Sequence, residues 1–297
     1  MVAIIDTHQH FFDFERFRYP WLDDDAFAAL RVPYLLPDLL ADVGNVDVVG
    51  TVYVQALVDL DADPVLETAW VQSVADGGGP RRLPSAIVGY ADLRQARLED
   101  TLARHCQHSL FRGIRQLTRY EPKSEQADLS RVNLLTDSDW QAGYRTLARF
   151  GLSFDMVTFP WQLPDAARLV GSVPDVPVVL EHLGLPRFGD TEAMAIWRTG
   201  LRAFAAVDHA HLKISALGEL APLWTTATMR PIVLEAIDTF GVDRCMFGSN
   251  YPVEKLSTPY ETYWSALGDI TASLSGDERN KLFNGNAERF YRIDRQT

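Results

Sequence analysis

The stretch Ala3-Ile4-Ile5-Asp6-Thr7-His8-Gln9-His10 begins as an apolar run and ends in His-x-His. Residues two apart on a strand point to the same face. The two imidazoles should therefore stand side by side, about 7 Å apart along the strand at the usual rise per residue. That geometry suits two ligands on one metal ion, or two groups on one substrate oxygen.

Working outward, short runs rich in Val, Ile, Leu or Phe recur at Val48 to Gln55, Ser85 to Tyr90, Phe111 to Gln116, Leu152 to Val157, Val176 to Glu181, His211 to Ser215 and Arg244 to Gly248. Such runs read as strands buried on both faces, the pattern of a parallel sheet. Between them lie helical stretches at Asp63 to Ala75, Leu98 to Gln107, Ser138 to Phe150, Leu163 to Val170, Glu192 to Val207 and Met229 to Phe240. Ser138 and Asp139 read as N-caps, and Gly151 and Gly241 as helix stops. Eight strands follow one another in a βαβα order over 297 residues. This predicts an α/β fold, one (β/α)8 TIM barrel over residues 1–297, in preference to an open doubly wound sheet. The first connection, Phe11 to Val46, is long and carries Tyr19-Pro20-Trp21-Leu22 and Asp23-Asp24-Asp25. Long loops after barrel strands usually build the active-site face. Gly77-Gly78-Gly79-Pro80 reads as a local loop, not a domain linker.

Composition narrows the function classes. A net charge of -12 argues against nonspecific binding to nucleic acid or to anionic membrane. No run approaches a membrane span, and no signal peptide is visible. Cys106 and Cys245 form no redox or metal motif and read as reduced thiols in a cytoplasmic protein. No glycine-rich phosphate loop follows any strand, so no nucleotide cofactor is expected. The implied partner is a small-molecule substrate; a homo-oligomer is left open.

Barrel enzymes carry their chemistry at the C-terminal ends of strands. Those ends offer His8 and His10, Gln55, Arg115, Asp155, Glu181 and His182, Lys213 and Ser215, and Asn250. Strict alternation puts only one of Glu181 and His182 toward the barrel axis. Lys213 lies within an apolar run, where a lysine needs a partner or a route to solvent. Gln55, Arg115, Asp155 and Lys213 are candidates to bind substrate, and Trp21 and Trp161 to stack on it.

The phrases Ile5-Asp6-Thr7-His8-Gln9-His10, Tyr19-Pro20-Trp21, Val54-Gln55-Ala56, Arg112-Gly113-Ile114-Arg115, His182-Leu183-Gly184, Met246-Phe247-Gly248-Ser249-Asn250-Tyr251-Pro252 and Asn284-Gly285-Asn286-Ala287-Glu288-Arg289-Phe290-Tyr291 resemble the amidohydrolase superfamily, and within it the sugar-lactone and pyrone-dicarboxylate lactonases. The resemblance covers nearly the whole chain. It implies a distorted (β/α)8 barrel that hydrolyses a cyclic ester. His8, His10, His182 and Asn250 become the catalytic candidates, the histidines also serving as metal ligands if a metal is used. Two positions depart from the metal-using members. Asp155-Met156-Val157 stands where they carry a strand-five histidine, and Asn250 where they carry a water-activating aspartate. An amide cannot ionise or act as a base near neutral pH. The expectation is therefore a lactonase with no obligatory metal. His8, His10 and perhaps Lys213 would donate to the carbonyl oxygen, His182 would activate water, and Asn250 would orient it. A single divalent ion such as zinc is the alternative. Competing readings are a metal-dependent amidohydrolase or nonoxidative decarboxylase, and an inactive ligand-binding barrel.

Overall fold

The computed structural model describes residues 2–59, 61–78, 82–121 and 132–293. Eight strands, β1 (Ile4–Gln9), β2 (Val48–Val54), β3 (Ala86–Gly89), β4 (Phe111–Leu117), β5 (Ser153–Val157), β6 (Val178–Leu180), β7 (Ala210–Ile214) and β8 (Cys245–Phe247), form one parallel sheet in sequence order. Every strand that the apolar runs predict is present. Helices lie outside: α1 (Leu36–Val43), α2 (Pro64–Gly77), α3 (Leu98–His105), α4 (Ser138–Thr146), α5 (Leu163–Gly171), α6 (Thr191–Ala205), α7 (Leu217–Leu220), α8 (Thr226–Phe240), α9 (Tyr260–Ile270), α10 (Gly276–Asn280) and α11 (Asn286–Tyr291). Fully buried side chains such as Trp140, Trp197 and Phe204 fill the space between strands and helices. Each stabilises the packing by roughly 1.5–3 kcal/mol relative to exposure.

The sheet closes just past the end of β8. Asn250 N–H donates to the His8 carbonyl at 2.7 Å, and His10 N–H to the Tyr251 carbonyl at 2.7 Å. Gly248 permits this approach, since a Cβ there would lie 2.8 Å from the His8 Cβ. The buried Asp6 carboxylate pins the junction. It accepts from Ser249 N–H at 2.7 Å, Ser249 Oγ at 2.6 Å and Tyr260 Oη at 3.0 Å. The seam therefore fixes His8, His10 and Asn250 relative to one another.

One helix start differs from expectation. Asp137, not Ser138 or Asp139, caps α4, accepting from Asp139 N–H at 3.0 Å and Trp140 N–H at 2.9 Å. A cap lies outside the first helical turn, so its side chain reaches the free N–H groups two and three residues on. Gly151 (φ 62) and Gly241 (φ 80) end helical segments as expected. Cys245 is buried and Cys106 exposed, both as free thiols. Gly79 and Pro80 lie outside the described residues. Among the described residues no helix is long and apolar enough to cross a membrane.

Candidate active site at the C-terminal mouth of the barrel

Beneath the mouth lies a layer of buried charge. Glu181, immediately after β6, is fully buried. Its Oε1 takes the Lys213 ammonium at 3.2 Å, and its Oε2 takes Arg115 at 3.2 Å. Lys213 also reaches Asp155 Oδ2 at 2.6 Å, which accepts Tyr291 Oη at 2.8 Å as well. Arg115 donates its other terminal nitrogen to the Gln55 carbonyl. Two cations thus balance two carboxylates, the condition under which buried charge is tolerated. Burial alone would raise the Glu181 carboxyl, but His8, Lys213 and Arg115 around it hold it well below its usual range. Asp155 is raised to about 6, chiefly by burial, against the pull of Lys213.

The histidines sit on this layer. His10 Nδ1–H donates to the Val54 carbonyl at 2.7 Å, so a neutral His10 presents a bare Nε2. That Nε2 lies 3.2 Å from His8 Nε2 and 3.2 Å from Asn250 Oδ1. The Asn250 amide cannot turn round, because its Nδ2 donates to Glu219 Oε2 at 2.9 Å. On its other side the His8 ring brings Nδ1 to 3.0 Å from Glu181 Oε1, without hydrogen-bond alignment. Neutral His8 carries one proton and faces an acceptor at each nitrogen. Burial pushes the His8 ring well below the usual imidazole range. It takes His10 to about 3, with Arg115 adding to the effect, and lowers His182. A second proton is therefore disfavoured, and the imidazole lone pairs at the centre are short of a positive partner.

A divalent ion fits that deficit. Ligand atoms of His8, Glu181 and His182 lie within 4.8 Å of one another, and imidazole nitrogen with carboxylate oxygen is a donor set that zinc accepts. Glu181 takes the place that the sequence reading gave to His10, which stands beside the group. The same proton count corrects the expectation that His10 donates to a carbonyl oxygen: the His10 nitrogen nearest Asn250 is itself an acceptor.

His182 joins the cluster against the alternation rule. β6 stops at Leu180, and His182 (φ 53), Leu183 (φ 57), Gly184 (φ 70) and Leu185 (φ 57) all take left-handed backbone. This turn carries the His182 ring to 4.6 Å from that of His8, with Nδ1 at 2.9 Å from Ser215 Oγ. Glu181 and His182 therefore both face the centre. Left-handed backbone costs a non-glycine residue about 1–2 kcal/mol, and such strain tends to gather at functional sites.

Above the histidines opens a cavity of about 650 Å³. His10, His182, Arg115, Asn250 and Glu219 line one part, and Trp21, Phe27, Leu57 and Val253 another. Trp21 is anchored by its indole N–H on the Ala56 carbonyl at 2.9 Å. Several candidates for substrate contact lie elsewhere. Asp155 and Lys213 are fully buried below the histidines and bonded to one another, with Glu181 also on Lys213 and Tyr291 also on Asp155. Gln55 is 1% exposed and its side-chain oxygen accepts from Leu57 N–H. Trp161 is 47% exposed, stacks on Phe159 and does not line the cavity. Sequence reasoning passed over Asp6 and Glu219. Asp6 had a signal, a carboxylate inside an apolar strand; Glu219, exposed on a short helix, had none.

Comparison with known proteins agrees with this geometry. The amidohydrolase family model Amidohydro_2 matches residues 5–293. An uncharacterised protein of Sinorhizobium fredii is 38% identical, over 98% of this chain and 99% of its own. The L-fucono-1,5-lactonase of Burkholderia multivorans is 31% identical, over 97% of this chain and 96% of its own. A crystal structure of a Burkholderia multivorans amidohydrolase with bound zinc superposes with a TM-score of 0.82 at 30% identity, covering 98% of this chain and 100% of that one. The chain belongs to the amidohydrolase family, on the branch that includes the L-fucono-1,5-lactonases, and is a hydrolase.

Proposed function

We propose that the chain opens the ring of a small neutral sugar lactone by adding water across its ester bond. The observation that carries this reading is the acceptor-rich cluster of His8, His10, His182 and Glu181 at the base of a half-apolar cavity large enough for one sugar ring. His8, His182 and Glu181 would hold a divalent ion there, and it would supply Lewis-acid polarisation of the ester carbonyl.

The remaining work falls to the chain's own side chains. Arg115 is 5% exposed, lines the cavity and has a buried Nε–H without a partner. The part of Arg115 that lines the cavity would orient a substrate oxygen, and one preorganised donor is worth on the order of 3 kcal/mol if it strengthens as charge develops. Trp21 and Phe27 offer an apolar wall to the ring face, and Leu57 and Val253 help exclude water. Charge speaks to substrate class. Asp24 and Glu219 line the cavity alongside Arg115 and Arg119, and Arg115 already answers Glu181. Beyond the ion, these side chains add no surplus of positive charge for a dicarboxylate, so a neutral polyhydroxy ring is the substrate class proposed.

The test is acid release, read with a pH-indicator dye, from a panel of aldonolactones and a pyrone dicarboxylate. Turnover of at least one neutral sugar lactone, faster than that of the dicarboxylate, is expected. A panel that yields no acid above the uncatalysed rate overturns the lactonase reading.

A further inference from the structure

Strand eight brings an amide, not a carboxylate, to the mouth, and Asn250 cannot take a proton from water. We propose that Glu219 is the catalytic base that deprotonates the attacking water. This assignment rests on the lactonase reading and adds to it a residue from a different strand end.

Glu219 is held firmly despite lying on a single helical turn. Ala216 (φ 58) turns the chain after β7 so that α7 lies at the mouth. Gly218 N–H donates to both oxygens of buried Glu254, at 3.0 and 2.8 Å. A Cβ on Gly218 would lie 2.3 Å from the Ser257 Cβ. The turn carrying Glu219 is thereby locked to the segment that follows Asn250. Glu219 Oε2 accepts the Asn250 amide at 2.9 Å, and Asn250 Oδ1 stands 3.2 Å from His10 Nε2. Carboxylate, amide and imidazole form one line into the cluster. Glu219 is exposed, lines the cavity, and has no hydrogen-bond partner for Oε1 among the described residues.

The other bases fit less well. Glu181 is sealed off and answers Lys213, Arg115 and His8. His182 has Nδ1 2.9 Å from Ser215 Oγ, and its other ring nitrogen would be taken by the ion. Asp24 caps a 3-10 turn through Ala26 N–H at 2.9 Å, apart from the path that runs from Glu219 through Asn250 to His10.

The step balances. Glu219 takes one proton from water as the water oxygen bonds to the lactone carbonyl carbon and the C=O pair moves onto oxygen. Collapse restores C=O and breaks the ring C–O bond, and the proton held by Glu219 passes to the departing ring oxygen. The product is one hydroxy acid, and Glu219 is again a carboxylate.

The experiment uses a lactone that the wild-type enzyme turns over. Glu219→Gln should lower kcat at least about 100-fold with KM within about threefold, the range for loss of a general base. In Glu219→Ala, added formate should restore at least about tenfold of the lost rate, an effect that a merely structural residue would not show. Thermal melts confirm that both variants are folded. Glu219→Gln with kcat within threefold of wild type, or a folded Glu219→Ala that formate does not rescue, overturns the assignment. Failure of the wild-type enzyme on every lactone would instead sink the lactonase reading.

Discussion

Below the cavity, Lys213 lies 2.6 Å from Asp155 and 3.2 Å from Glu181, and Arg115 lies 3.2 Å from Glu181. One layer above, the bare His10 Nε2 lies 3.2 Å from His8 Nε2 and 3.2 Å from the Asn250 amide oxygen. The lower layer is neutral overall, its two cations matched by two carboxylates. The upper layer turns imidazole and amide lone pairs toward the centre. The difference shows a division of labour: balanced charges brace the site, and lone pairs gathered next to the cavity make it receptive. A supporting layer that fixes its neighbours is what preorganisation requires.

The largest effect should come from breaking the lower layer. Lys213→Met leaves two buried carboxylates facing Arg115 alone, and removing one partner of a buried pair costs about 3–5 kcal/mol. Urea unfolding of the variant should show a loss of that size; a midpoint equal to wild type would mean that the layer is not a brace. Next comes the joint between layers. Arg115→Lys cannot serve Glu181, the Gln55 carbonyl and a substrate oxygen together. A drop in kcat/KM of about 10- to 100-fold is expected, the range for supporting partners of a site; an unchanged value would separate Arg115 from the chemistry.

Smaller effects sharpen the boundary of the site. Trp21→Ala should raise KM about tenfold, about 1.4 kcal/mol of binding, whereas Trp161→Ala should change it less than about twofold, because one tryptophan lines the cavity and the other does not. Equal effects of the two changes would misplace the substrate. A separate, pH-dependent effect lies outside the barrel interior. His105 is buried against Thr68 and the Tyr90 carbonyl, and burial lowers it to about 4 from 6.5. The unfolded chain therefore binds a proton between those values that the native chain does not. Its contribution to stability is complete above about pH 6.5 and is lost as pH falls through about 4. The stability gap between wild type and His105→Gln should narrow from pH 7.5 to pH 4 in urea titrations; a constant gap would mean that His105 titrates alike in both states.

Much of this was legible in the sequence, for physical reasons. A parallel sheet buries both faces of its strands, so the strands show as short runs rich in Val, Ile, Leu or Phe from Ile4 onward. Charges within such runs, Asp6 and Lys213, are conspicuous because burial without partners is so costly. The errors have equally specific causes. Alternation misjudged the Glu181 and His182 pair because it holds only while the strand continues, and β6 ends at Leu180. Trp161 looked like a stacking platform because it closely follows β5, but the 3-10 turn Pro160–Gln162 leaves it at the surface. Glu219 left no trace in the pattern, since an exposed glutamate on a short helix is what any surface shows. The proton shortage at His8 was invisible for another reason. It depends on which nitrogen faces which acceptor, and only geometry supplies that.

The central claim is that His8, His182 and Glu181 together hold one divalent cation that the reaction needs. Metal content per chain, measured on purified wild type and on His8→Ala and His182→Ala, with lactone turnover followed before and after chelation, tests it most directly. The account predicts about one ion per wild-type chain, little in either variant, and activity lost to chelator and restored by zinc. Undiminished turnover by chelated, metal-free protein would contradict it.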